Sequence, residues 1–461
     1  MSANVSNKPS KIKLNIKKKE TSSPKLKLNI TKKGKKSKKS VSEIYVKMKH
    51  IDHIFEKPDS YVGSIEVEET EQYVLDDSNS DDIKIVKSKF NYCPGFYKCF
   101  DELLVNAFDH TKRQLSKIRS GDSSAIPVTN IKVEIDKETG VISVFNDGDG
   151  IDIEIIPEHN KYPPEMIFGE LLTSTNYDDS EEREWGGRNG YGAKLANIFS
   201  LETAVETVDS KRRKKFKQIF KNHMSEKSKP KITSFSGKPY TKLTWSPDYT
   251  KFNMNGLDND HYCLLKKRVY DIAACTDSNV NVFLNKNKIT NKTFEKYVDL
   301  FIGEKKDKPR IYEESSGWKV VASYNDDEIF EQVSFVNGIN TIKGGKHIEY
   351  ITNMITKNLV DMTLAKKKKA VKSQHIKDNL FVFVKALIVN PSFDSQSKET
   401  LTTPVAKFGS KCDLSDKFFD KLYKSGIVDK ALSITEFYDK KKLVKTDGKK
   451  TSKIIIPKLD D

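Results

Sequence analysis

Residues 101–110 read Asp-Glu-Leu-Leu-Val-Asn-Ala-Phe-Asp-His, inside a longer run, 95–117. There Phe96, Phe100, Leu103, Leu104, Ala107 and Leu115 recur at three- and four-residue spacings. That period predicts a helix with one buried face. Glu102 and Asn106, four residues apart, share one of its faces, with His110 one turn further. The carboxylate can orient and deprotonate a water, and the amide oxygen can ligate Mg2+. The same spacing is common on solvated helix faces, so its meaning depends on what surrounds it.

Outward from the helix, residues 131–135 and 141–145 alternate around Lys137-Glu-Thr-Gly140, the pattern of a β-hairpin. Directly after it comes Phe145-Asn-Asp147-Gly-Asp-Gly150. Two glycines let backbone approach a flat ligand, and a carboxylate can accept a hydrogen bond from an exocyclic amine such as adenine N6. Alone, the segment also reads as an ordinary turn. Further on, Gly186-Gly187-Arg188-Asn189-Gly190-Tyr191-Gly192-Ala-Lys194-Leu195 opens a predicted helix, Gly192 to Phe199. Glycines before a helix N-terminus present N–H groups to phosphates, and Lys194 adds a formal charge. The GK[ST] ending of a Walker A loop is missing. Residues 175–189, polar and acidic with paired glycines, have the composition of a mobile lid.

The rest of the chain reads as sheet at 202–207, 231–235, 240–245 and 279–284, with a helix over 257–274. A second αβ region starts near 290, with strands at 319–324, 331–336 and 380–389 and helices over 347–364 and 412–432. Two folded domains with a boundary near 290 are expected. The 461 residues carry a formal charge of +16. Residues 1–42 hold 14 Lys and one acid, Glu20, which leaves 67 basic against 64 acidic residues in the nearly neutral remainder. The tail lacks aromatic residues and reads as disordered, serving solubility, nuclear targeting or sequence-independent phosphate binding. No run of about 18 apolar residues occurs, so no membrane-spanning helix is expected. An apolar leader is not expected either. Five scattered cysteines read as reduced intracellular thiols, with a nuclear location favoured.

In this order, the Glu/Asn helix, the glycine turn and the glycine-rich lid resemble the Bergerat (GHKL) ATP fold. Lys57-Pro-Asp-Ser-Tyr61-Val-Gly-Ser64 after Tyr45, Leu171-Leu-Thr-Ser-Thr-Asn176-Tyr-Asp-Asp179 and the lid narrow the resemblance to the eukaryotic type IIA DNA topoisomerases. So do Phe335-Val-Asn337, Lys343-Gly-Gly-Lys-His347, the segment Asn390 to Glu399 and the ending Ile456-Pro-Lys-Leu-Asp-Asp461. The likeness covers about residues 43–461. It implies an α+β chain: a Lys-rich tail (1–42), a GHKL ATPase domain with a mixed sheet covered by helices (43–290), a ribosomal-S5-like transducer domain (291–432) and a linker toward a cleavage core (433–461). By the same resemblance, Glu102 is the general base, Asn106 the Mg2+ ligand and Asp147 the adenine contact, where many eukaryotic members carry Asn. Ser174, Thr175 and Asn176 fall near ribose and phosphates, and Arg188 through Lys194 in the phosphate-wrapping lid. Gln396 and Lys398 match switch residues that reach the γ-phosphate. His110 stands where the family usually has Asn near the triphosphate, and Tyr45 matches a strap that enters the partner protomer. ATP and Mg2+ are thus the implied cofactors, with double-stranded DNA and a second protomer as partners.

Lys366-Lys-Lys-Lys369 reads alone as a solvated face; the resemblance makes it a DNA-phosphate contact without base specificity. His50 and His53 lack companions for a metal set and read as surface residues. No EGDS motif is present, and Asp147-Gly-Asp149-Gly150 belongs to the glycine turn already described, so DNA cleavage is not expected from these residues, and the cleavage core could be a separate subunit. The rival reading is a non-catalytic DNA-binding clamp; a chaperone or mismatch-repair relative on the same ATP fold fits the motifs less well.

Overall fold

The computed structural model describes residues 48–79, 82–171, 173, 184–187 and 190–446. From His50 onward the chain forms one unit. It begins with helix α1 (His50–Glu56) and an antiparallel hairpin, β1 (Glu68–Asp76) with β2 (Lys84–Tyr92). The central helix α2 (Pro94–Arg119) follows, close to the range its periodicity predicts. Pro94 sits in its first turn, where a missing N–H costs little, and Lys117 and Arg119 complement the dipole at its end.

Strands β3 (Asn130–Ile135) and β4 (Ile142–Asp147) form the expected hairpin. Helices α3 (Pro163–Gly169) and α4 (Gly192–Ile198) precede β5 (Ser200–Asp209), β6 (Lys214–Lys221), β7 (Glu226–Lys227), β8 (Lys231–Ser234) and β9 (Tyr240–Pro247). Helix α5 (Asn259–Cys275) leads to β10 (Asn281–Leu284) and β11 (Asn287–Lys288). These make a nine-stranded sheet, ordered β11-β10-β3-β4-β9-β5-β6-β7 with β8 also on β6. It is antiparallel except where β10 meets β3. Phe96, Phe100, Leu104 and Phe108 of α2 share a core with Ile131, Val144, Val205 and Trp245 of this sheet.

Beyond helix α6 (Phe294–Ile302), a five-stranded sheet forms from β12 (Arg310–Ser315), β13 (Trp318–Tyr324), β14 (Glu331–Val336) and β15 (Ile339–Asn340). Helices α7 (Lys346–Lys367) and α8 (Ser373–Asp378) come before its central strand β16 (Leu380–Ala386), giving the order β12-β13-β16-β14-β15. β16 is apolar from Leu380 to Val384 because both its faces are buried there. Phe381 and Phe383 join the first core, whereas Val382 and Val384 face a second core with Ile351, Ile355 and Leu359 of α7.

Two expectations change. The single helix over 412–432 is α9 (Asp416–Tyr423) followed by α10 (Ile427–Thr446). They are broken at Gly426, whose φ of +99° does not suit a helix. α10 also runs past residue 432, so the expected linker starts as helix. Strands β1, β2, β6 and β12 escaped the sequence reading. In β6 the inward residues Phe216, Gln218 and Phe220 are masked by four lysines in eight positions.

Candidate active site

Helix α2 puts Glu102, Asn106, His110, Arg113 and Lys117 on one stripe, at steps of four, four, three and four residues. All five line a cavity of about 800 Å³ between α2, the nine-stranded sheet and the glycine segment before α4. Gln396 and Lys398, from the loop after β16, line the same cavity. Glu102 is 5% exposed, and its Oε1 accepts from Lys98 Nζ at 2.8 Å and from Lys398 Nζ at 3.2 Å. Burial alone would raise the Glu102 pKa, but the ammonium groups of Lys398 and Lys98 outweigh it and hold the carboxyl at about 2. Lys398 reaches this position from a left-handed backbone, φ +62°, which is uncommon for a side chain-bearing residue and costs energy.

The glycine segment meets Glu102 directly. A Cβ on Gly192 would lie 2.1 Å from Glu102 Oε2, so a side chain there must displace the carboxylate or the helix. Lys194 is 2% exposed; its Nζ donates to the carbonyls of Thr173 at 2.6 Å and Gly190 at 2.5 Å, and burial brings its pKa down to about 8. Asp109 accepts from the N–H groups of Gly186 at 3.3 Å and Gly187 at 2.9 Å, which ties the start of that segment to α2. Burial pushes Asp109 up to about 6 despite Arg113 and Lys398 nearby. At the other end, His110 Nε2 lies 3.3 Å from Asp149 Oδ1, and Lys117 donates to Asp149 Oδ2 at 3.2 Å. Burial lowers the His110 pKa, and contacts with His110 and Lys117 hold Asp149 near 2 against its own burial. Gly150 completes the turn with φ +71°; a Cβ there would strike the Val208 carbonyl at 1.9 Å. The cations Lys398, Lys194 and Arg113 all line the cavity, which suits a polyphosphate.

The family profile described as "Histidine kinase-, DNA gyrase B-, and HSP90-like ATPase" matches residues 94–228, and "DNA gyrase B" matches 280–453. The crystal structure of the ATPase region of Saccharomyces cerevisiae topoisomerase II is 42% identical, with a TM-score of 0.77, covering 85% of this chain and 99% of that one. The chain belongs to the type II DNA topoisomerase family. The ATPase and transducer domains of Balamuthia mandrillaris topoisomerase II agree at 38% identity, TM-score 0.79, over 87% of this chain and all of that one. DNA topoisomerase 2 of Arabidopsis thaliana is 45% identical over 432 residues, 92% of this chain but 28% of its own length. The enzyme from Acanthamoeba polyphaga mimivirus is 44% identical over 90% of this chain and 32% of itself. The chain thus corresponds to the ATPase region of type II topoisomerases, spanning about a third or less of these full-length relatives.

One expected contact of this topoisomerase region is corrected. Asp147 does not line the cavity. Its carboxylate accepts from Thr129 N and Oγ1 and from Asn130 N and Nδ2, at 2.6–2.8 Å, and so fastens the start of β3. Neighbours on a strand point to opposite faces, so Asn146 turns into the cavity instead. Its Nδ2 donates to the Asp147 carbonyl at 2.8 Å, leaving the amide oxygen as the acceptor. Asn146, Arg113 and Asp149 are the site residues that sequence reading missed; continuing the α2 stripe beyond His110 finds Arg113.

Glu102, Asn106, His110, Gly190, Tyr191, Gly192, Lys194, Gln396 and Lys398 do come together. Tyr45, Ser174, Thr175, Asn176, Arg188 and Asn189 lie outside the described residues. The lysine run at the end of α7 is away from the cavity and largely neutralised. Lys366 pairs with Asp420 at 2.8 Å, Lys367 with Asp429, and Lys369 with Glu436 at 2.7 Å, while Lys368 caps the helix with φ +55°. His53 is exposed and bonded to the Tyr61 hydroxyl at 2.9 Å; His50 is half-buried with its ring 6.1 Å from that of Tyr191. Among the described residues no helix is long and apolar enough to cross a membrane.

Proposed function

We propose that this chain is the ATP-hydrolysing entry gate of a type II DNA topoisomerase, in which closure between two protomers captures a DNA duplex for strand passage. The observation that carries this is the Lys398–Glu102 contact. It joins a loop of the five-stranded sheet to the acid best placed to activate water beside the nine-stranded sheet. A triphosphate offers Lys398 a more highly charged partner than Glu102. Once Lys398 moves to the terminal phosphate, Glu102 loses its stronger counter-charge, and its basicity rises toward the value a general base needs. Glu102 then takes a proton from the attacking water while the bond to the leaving ADP breaks. Lys98 stays beside the carboxylate and holds its position.

Asn106 suits Mg2+ as a single amide-oxygen ligand. Among the described residues no cluster of three or more ligating side chains exists, which fits an ion held mainly through phosphate oxygens and water. Mg2+ would supply charge neutralisation of the phosphates. Asn146 supports adenine recognition, and Arg113 and Lys194 support phosphate binding. Residues 43–290 and 291–432 would act as ATPase and transducer domains. Because Lys398 senses only the last phosphate, it makes the ATP and ADP states differ in energy, which domain rotation can use.

Calorimetric titration with Mg2+ and either a non-hydrolysable ATP analogue or ADP tests this. The wild-type chain should prefer the analogue, and Lys398→Ala should lose that preference while keeping its ADP affinity. Equal discrimination in both proteins would refute the sensor role.

A further inference from the structure

The back of the nine-stranded sheet carries a feature that the ATP site does not use. Residues 211–238 hold 11 Lys and Arg against one acid, Glu226, although the chain beyond residue 42 is close to neutral. Strand register turns this into a row. Lys132 of β3 opposes Phe145 of β4, which opposes Lys242 of β9; Lys242 opposes Glu206 of β5, which opposes Lys217 of β6, which opposes Lys231 of β8. Their chain neighbours Asn146, Thr241 and Leu243 line the nucleotide cavity, so the row lies on the opposite face.

Glu206 is already shared between Lys215 at 2.7 Å and Lys217 at 3.1 Å. Among the described residues, no carboxylate lies within ion-pair distance of Lys132, Lys231 or Lys242, nor of Arg213 and Lys214 at the β5–β6 turn. Like charges placed directly opposite, as at Lys217 and Lys231, destabilise a sheet and are relieved by an external anion. Six adjacent strands at about 4.8 Å make a track of roughly 24 Å, about seven base-pair rises long. Lys132 also lies over the Phe145 ring at 5.2 Å, and Phe145 stacks on Tyr240 at 5.3 Å.

We propose that this sheet face is a second, sequence-independent duplex-DNA contact, separate from the paired lysines at the end of α7. The choice of duplex DNA over another polyanion rests on the topoisomerase reading; the charged row itself does not. The test is fluorescence anisotropy of a labelled 40-base-pair duplex with the full chain across a salt series. The combined variant Lys132→Gln, Lys231→Gln, Lys242→Gln should bind at least about tenfold more weakly, and its log–log salt slope should be shallower by about 2.7, at about 0.9 per phosphate lost. Lys231→Gln alone should reduce the slope by about 0.9. Thermal unfolding at the wild-type midpoint would show that the fold is intact. Unchanged affinity and slope overturn the proposal, as does a slope change confined to Lys366→Gln, Lys367→Gln, Lys369→Gln. Poly-glutamate competing as well as duplex would reassign the face to an acidic protein and overturn it too. Glu102→Gln, which tests the ATP reading, should leave duplex affinity unaltered, so the two claims fail separately.

Discussion

At the residue scale, the β4 end separates two neighbouring side chains by face. Asn146→Ala should weaken nucleotide binding by about tenfold to a hundredfold, since a buried partner of the base is lost. Asp147→Ala should instead leave nucleotide affinity within about twofold and lower stability by roughly 1–3 kcal/mol, because up to four donors at Thr129 and Asn130 lose their acceptor. Titration calorimetry and denaturant unfolding distinguish the two. Asp109 gives a pH signature. Its native pKa of about 6 lies above the unfolded value of about 4, so the native state holds the extra proton between them. Stability should therefore fall as pH rises from about 4 to 6, and Asp109→Asn should flatten that part of the unfolding profile. The motif that located the proposed adenine contact was legible; its face was not. Asn-Asp-Gly-Asp-Gly announces a turn, but only the pairing of β4 with β3 and β9 decides which of two adjacent side chains faces inward.

At the scale of elements, α2 was readable in full because apolar spacing over 26 residues leaves no other period. Its cavity-lining stripe was readable only to His110, since cations such as Arg113 and Lys117 look like ordinary solvated ends. The lysine run at the end of α7 was readable as charge, but its neutralisation was not. Asp420, Asp429 and Glu436 come from α9 and α10, more than 50 residues away. The contact between α4 and α2 allows a direct check. Gly192→Ala adds a methyl 2.1 Å from Glu102 Oε2 and must displace the carboxylate or the helix. Turnover should drop at least about tenfold while folding persists, because misplacing a catalytic group by an ångström is costly. Wild-type turnover in this variant would show that the glycine segment is not seated on the base.

At the scale of the whole molecule, net charge misled. A total of +16 suggests a basic surface throughout, yet most of the excess belongs to residues 1–42, and a second concentration in 211–238 is hidden by acids elsewhere. The two sheets are linked by more than Lys398. Arg268 Nη2 donates to the Gly338 carbonyl at 2.8 Å and its Nε to Asp101 at 2.6 Å, next to Glu102 in the chain. Movement of the β14–β15 turn is thereby mechanically joined to α2. If closure follows nucleotide binding, a non-hydrolysable ATP analogue with Mg2+ should convert monomer to dimer in sedimentation, and Tyr45→Ala should weaken the shift. An unchanged mass would contradict the gate.

The most direct test of the central claim is steady-state ATP turnover by the 461-residue chain with Mg2+, comparing wild type and Glu102→Gln, with nucleotide affinity measured alongside. Glu102 as general base predicts a loss of about a hundredfold to ten-thousandfold in kcat with affinity little changed. Turnover by Glu102→Gln at the wild-type rate would contradict it.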